Sequence, residues 1–423
     1  MTRQRYVLAG LGAITALVLT GCGASAGSGS GSVQIDELVP LTGPSAHIST
    51  QDDIPGFATA VAAVNQAGGV LGRKLVAVET DSGADPADAV ASVHQMLATH
   101  SSLSGVVGMT SDTGLVTGSL LNASKMVTIT QAGTTALDGV HWPYVFRDFS
   151  PDSAEGDAMA AYALRKGWTH AAFLFGENGA SQSISAVVQA SYTAHGGTAV
   201  VNDKLPLDAS SYESQIAQVV AAKPQVIFFE TDPTTAATIF AEMKAVNNLS
   251  IPVVATSVAA EGPFWLTVQQ AVGGYATMRR FMVSVTSPAL SSGAAYRAFL
   301  KLYNPRYPKV PANPYINGNY DSVMILALAM DLANSTNPAV YVRDVARVVG
   351  NHSGTPIYTY KEGLAAIKAG KSFYYDTTQG PMSFNKNNSI AGAFVIQVLS
   401  SDQKTFETIA SISDSEVKAY EAK

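Results

Sequence analysis

The chain has 423 residues, of which 14% are charged and 47% hydrophobic, with a formal net charge of −6. This is the length of one large or two ordinary domains and the composition of a well-packed globular protein, with no basic run to suggest a nucleic-acid partner. One cysteine excludes an intrachain disulfide framework or Cys-based metal cluster, and the seven histidines include no i,i+3 or i,i+4 pair for a helix to offer one metal.

In chain order, the first segment reads as a targeting leader. Arg3 and Arg5 make a positive n-region, and Val7 to Leu19 an apolar h-region too short and glycine-broken for a membrane span. "LTGC" at 19–22 resembles the lipobox of bacterial lipoproteins. That implies acylation of Cys22, loss of residues 1–21 and a stable anchor of more than one acyl chain. The alternative is an ordinary secretory signal, or a free thiol. "GASAGSGSGS" (23–32) has no side chain able to build a core and reads as a tether reaching roughly 17 Å.

From Val33, short apolar runs alternate with amphipathic stretches. "VQIDELVP" (33–40), "KLVAVET" (74–80), "SGVVGM" (104–109) and "MVTIT" (126–130) read as strands. Between them, Phe57, Val61 and Val64 share a helical face that ends on Gly68-Gly69. A second helix opens with Asp85 as N-cap and Pro86 at its first position, and Val90, Val93 and Leu97 share its face. The rhythm restarts at 170, with strands "HAAFLFG", "TAVVND", "QVIFFET" and "IPVVAT" and helices from about Ser181, Ser211 and Thr234. The pattern predicts an α/β protein of two units in series, each a parallel sheet flanked by helices. "WPYVFRDFSPDS" (142–153) reads as an interlobe segment. The helix within 320–335 reads as buried rather than membrane-spanning, since Asp321 and Asp331 bracket its apolar core.

Six blocks in order carry a resemblance over nearly the whole mature chain: "PLTGPSA" (40–46), "AVNQAGGVLGRKLVAVETDSGADPADAV" (63–90), "SGVVGMTSDTG" (104–114), "VTITQAGTT" (127–135), "NYDSVMILALAM" (319–330) and "QGPMSFNKNNS" (379–389). The chain resembles the type I periplasmic solute-binding proteins, in particular the branched-chain amino acid (leucine/isoleucine/valine-binding) group. The resemblance implies two Rossmann-like lobes joined by a three-stranded hinge with ligand clamped between them. Its expected boundaries are 33–147 plus 283–378 for the first lobe and 148–282 plus 379–423 for the second.

In open α/β sheets, ligands sit beyond the carboxyl ends of the strands, where helix N-termini favour a carboxylate. Ser111, Asp112 and Thr113 follow one such strand; Gly133, Thr134 and Thr135 follow its neighbour. The resemblance implies that Ser111 and Thr134 hold a ligand carboxylate, with the Ala132 carbonyl facing an ammonium group. The alternative is that these hydroxyls only cap helices. His47 lies on the first ligand loop or is simply exposed. In the second lobe the family's aromatic is replaced by Ala180, and its ammonium-binding acid by Ser257, with Glu261 four residues on. Asp232 or Thr231 stands at a further family aromatic. Asp232 or Glu230 supplies the counter-charge from a different loop, or the ligand has no ammonium; Asp232 also reads as a helix N-cap before Pro233.

No HExxH, GxSxG, P-loop or paired-carboxylate motif is present, and no cofactor or metal is expected. The expectation is a non-enzymatic, membrane-tethered, extracytoplasmic solute-binding lipoprotein of an ABC importer. It acts as a monomer and hands an amino acid, amide or small carboxylate to permease subunits. A ligand-sensing lipoprotein of the same fold is the alternative, and a hydrolase a remote one.

Overall fold

The computed structural model describes residues 31–43, 46, 49–83, 85–288, 293–390, 392–403 and 405–421. The leader, Cys22 and His47 lie outside the described residues.

The first lobe is built on a parallel sheet of β1 (Val33–Val39), β2 (Leu75–Asp81), β3 (Leu103–Gly108), β4 (Thr128–Thr130) and β5 (Val145–Arg147), ordered β2-β1-β3-β4-β5. β3 is buried along its whole length, as expected of a strand covered on both faces. The covering helices follow the sequence signals. Helix Ile54–Gln66 buries Phe57 and Val64, and Gly68 and Gly69 beyond it take positive φ. Helix Pro86–Thr99 starts on Asp85, whose carboxylate accepts from the Ala87 amide at 2.7 Å.

The second lobe carries β6 (His170–Gly176), β7 (Thr198–Leu205), β8 (Val226–Glu230), β9 (Val253–Ala255) and β10 (Met282–Thr286). β11 (Thr355–Ile357) and β12 (Phe373–Tyr375) form a small parallel pair whose side chains join the first-lobe core. β13 (Phe394–Leu399) and β14 (Phe406–Ile412) then return to the second lobe and extend its sheet, ordered β14-β13-β10-β9-β8-β6-β7. The last two join antiparallel; the rest are parallel.

Each lobe has its own apolar core, and the chain passes between them three times: after β5, after β10 and before β13. Two expected boundaries move. Residues 283–286 lie in β10, paired with β9 and β13, so they belong to the second sheet and the second passage follows Thr286. Met382, Phe384 and Ile390 pack on the first core, and Ser389 bridges to Arg147, so the return comes after Ile390 rather than at 379. The resemblance implied both joins, whereas strand pairing and side-chain packing fix them.

Helix Pro314–Ala333 is the spine of the first lobe, with every residue from Ile316 to Asp331 buried. Its acids are held in place: Asp321 accepts from Tyr375, from the Thr378 hydroxyl and from the Thr378 amide, and Asp331 from Tyr360 and the Leu71 amide. Among the described residues no single helix is long and apolar enough to cross a membrane.

Candidate functional site

One cavity of about 160 Å³ lies between the lobes at the carboxyl ends of both sheets. Ser111, Asp112 and Ala132 line it from the first lobe, and Ala180, Asp232 and Ser257 from the second. Thr113, Thr134 and Thr135 do not line it.

The Ser111 hydroxyl oxygen accepts from the Gly133 amide at 3.0 Å and the Thr134 amide at 3.2 Å. The Gly133 and Thr134 amides at the strand end are thus satisfied by the protein itself. Thr134 stands outside the cavity lining and takes the capping role that the sequence left open. It is the N-cap of the short turn Thr135–Leu137, where its hydroxyl oxygen accepts from the Ala136 amide, because that turn has a free amide two residues on. Thr113 precedes helix Gly114–Ala123, and its side chain contacts Thr110. Thr135 instead crosses the cleft, its amide donating to Ser183 Oγ at 3.1 Å.

Ser111→Ala leaves two amides without their acceptor and should cost about 1–2 kcal/mol in urea unfolding without any ligand. Thr134→Ala should cost less than half as much, since its one bond is long at 3.4 Å. Equal stability of Ser111→Ala and the parent would refute the assignment.

Two further contacts close the cleft. Asp112 Oδ1 accepts from the Ala180 amide at 3.0 Å, at the start of helix Gly179–Ala194, where the free amides and the dipole favour a carboxylate. Tyr315 and Ser257 share a hydrogen bond at 2.8 Å. Ser257 is also bound to Glu155, by its amide at 2.6 Å and its hydroxyl at 3.0 Å. Asp232 caps helix Pro233–Ala245, accepting from the Thr234 and Thr235 amides at 2.9 and 3.0 Å, and lines the cavity as well.

The sequence reading did not single out Asp53, Gln131, Phe149, Asp152, Glu155, Asn178 and Tyr315, all of which line the cavity. Phe149 stacks on Tyr315 with ring centroids 5.0 Å apart, so aromatic surface reaches the cleft from the hinge and from the spine helix. The aromatic-rich "WPYVFRDFSPDS" segment was the available signal for Phe149 and Asp152. Tyr315 had none, because its place depends on how the spine helix enters the cleft.

Seven acids line the wall, Asp53, Asp112, Asp152, Glu155, Glu230, Asp232 and Glu261, and among the described residues no lysine or arginine does. Burial pushes the Glu155, Glu230 and Glu261 carboxyls above their ordinary range. For Glu261 the charges of Asp52, Asp53 and Glu230 add to the effect, and neither of its side-chain oxygens has a partner among the described residues. Asp152 is also pushed up by burial and by Glu230, with Arg147 opposing. Arg147 is bound to Asp138, Ser389 and the Gly133 and Thr134 carbonyls. Among the described residues no group of three or more His, Cys, Asp or Glu is placed to hold a metal ion.

The fold recurs in solved structures of low identity. The branched-chain amino acid transporter substrate-binding protein of Streptococcus pneumoniae, in complex with isoleucine, is 17% identical; the match covers 90% of this chain and 99% of that one, with a TM-score of 0.72. A fatty acid ABC transporter substrate-binding protein from Thermomonospora curvata is 16% identical, with 93% and 95% coverage and a TM-score of 0.75. A Leu/Ile/Val-binding protein homolog of Brucella melitensis is 22% identical over 330 residues, which is 77% of this chain and 85% of that protein. A periplasmic binding protein family model matches residues 32–401, most of the sequence. With its two α/β lobes and the cavity between their strand ends, the chain belongs to the periplasmic binding protein family.

Proposed function

We propose that this protein is the extracytoplasmic solute-binding component of an ABC importer, tethered by lipid on Cys22. It captures a small polar solute between its lobes and delivers it to permease subunits, without turnover. The observation that carries this reading is the cavity shared by two separately cored lobes. Across the cavity, among the described residues, they meet through few side-chain bonds, such as Asp112 to Ala180, Thr135 to Ser183 and Tyr315 to Ser257. Such a contact set breaks and reforms as the hinge opens and closes, and a ligand touching both walls shifts that equilibrium. The named relatives, which include transporter proteins for branched-chain amino acids and a fatty acid, support an import role and leave the ligand class open.

The test is a thermal-shift screen of amino acids, amides, small acids and amines, followed by small-angle scattering. A true ligand at a hundredfold excess over its Kd stabilises by about 2.7 kcal/mol and lowers the radius of gyration. A stabilising compound that leaves the radius unchanged would refute the closure mechanism. In the native host, Cys22→Ser should move the protein from the membrane fraction to the soluble one; retention would reject the anchor.

A further inference from the structure

The charge of the cleft restricts what it can hold. Asp53 lines it from the first lobe, at the start of helix Ile54–Gln66, and Glu261 from the second, at the start of helix Gly262–Val272. With Asp52, these acids lie close enough across the closed cleft to act on one another's charge. Asp52 and Asp53 have amide partners, Asn313 at 2.6 Å and Asn319 at 2.7 Å. Glu261, 1% exposed, has none among the described residues for either oxygen. A buried carboxylate left without a partner is costly, and closing the hinge drives it toward two more acids.

The opposite end of the cavity is equally unsuited to an anion. Ser111 occupies the strand-end amides, and Asp152 lies against Gly133 so closely that a Cβ there would sit 2.0 Å from Asp152 Oδ1. A carboxylate of the protein thus already lies beside Gly133, next to the strand end where a ligand carboxylate was expected. Apolar and aromatic surface also lines the cavity, from Met109, Phe149, Ile184, Leu207, Val258 and Tyr315.

Resting on the reading of this cleft as a solute site, we propose that it takes a small organic cation without a carboxylate. The cation is an amine, amidine or guanidinium on a short apolar body. It supplies Glu261 with its missing donor, relieves the repulsion that closure creates, and places its apolar part against Phe149 and Tyr315.

A matched series tests this by titration calorimetry near pH 7.5: leucine, 3-methylbutylamine (leucine without its carboxylate) and 4-methylpentanoate (leucine without its ammonium), with butane-1,4-diamine as a second amine. At least one amine should bind ten times more tightly than leucine, and the acid should not bind. Glu261→Gln should weaken that amine at least tenfold while leaving the ligand-free melting temperature equal or higher, since no hydrogen bond is lost. Asp112→Asn serves as a second variant if the first misfolds and should also weaken the amine. Tighter binding of leucine or the acid would overturn the cation proposal and leave the solute-binding reading intact. Response to magnesium or calcium alone, or an amine indifferent to both variants, would also overturn it. Silence of all four compounds would overturn it too, and silence of the whole thermal-shift screen would remove the solute-binding reading with it.

Discussion

Without ligand, the protein should melt at a higher temperature and scatter as a more compact particle near pH 5 than near pH 8.5. Burial lifts the Asp52 carboxyl to about 8, that of Asp53 to about 6 and that of Asp321 to about 7, from an ordinary 3.8. A carboxyl whose pKa rises on folding keeps its proton in the native state at pH values where the unfolded chain has lost it. Its contribution is therefore complete below about pH 4 and is lost as pH climbs through the folded value. Each unit is about 1.4 kcal/mol, so Asp321 alone amounts to about 4 kcal/mol. A whole domain holds only about 5–15 kcal/mol.

The acids differ in how they can escape this cost. Asp321 is locked inside the first lobe by Tyr375 and Thr378 and can be relieved only by unfolding. Asp52 and Asp53 face Glu261 from the other lobe, so opening the hinge separates the charges and admits water. Rising pH should therefore enlarge the radius of gyration before it unfolds the chain. A melting temperature that climbs between about pH 5 and 8.5, or a radius that stays constant, would contradict this account.

What could be read from the sequence follows a physical division. Strand runs such as "SGVVGM" and caps such as Asp85-Pro86 act over a few residues, and the structure places them where the spacing does. The lobes' handover points were harder, because β10 owes its place to pairing with β9 and with β13, which comes more than a hundred residues later. Ser111, Asp112, Ala132, Ala180, Asp232 and Ser257 come together at one cavity because strand ends converge on one crevice. What the sequence could not show was which strand-end amides the protein would satisfy itself. Ser111 and Thr134 have the residue types of a carboxylate site, yet their bonds run inward, to backbone amides. Glu155 and Tyr315 were illegible for a related reason: each gains its role from a partner on a distant segment, through Ser257.

Tyr315 should prove the most sensitive position in the cleft. Asn313 caps the spine helix by accepting from the Tyr315 and Ile316 amides, both at 3.0 Å, and Pro314 fixes the first turn. The Gln131 side chain donates to the Tyr315 carbonyl at 3.0 Å, so the backbone is held on both sides. The ring is then pinned against Phe149, and its hydroxyl reaches Ser257 of the opposite lobe. Ser257 Oγ donates to Glu155, which leaves the tyrosine hydroxyl as donor to Ser257. The ring thus forms part of the ligand wall, and the hydroxyl forms part of the latch.

The two roles separate by substitution. Tyr315→Phe keeps the stack and loses one hydrogen bond, worth about 1 kcal/mol, or roughly a fivefold rise in Kd for the compound that gives the largest thermal shift. Tyr315→Ala also removes the aromatic wall, and a loss of about 3 kcal/mol weakens binding by a factor of about 100. The scattering readout distinguishes the two changes. With saturating ligand, the Phe variant should still close, with a smaller closed fraction at equal occupancy, while the Ala variant should stay near the open radius. Binding within threefold of the parent in Tyr315→Ala would remove this residue from the site and leave the latch to Asp112 and Ser183 alone.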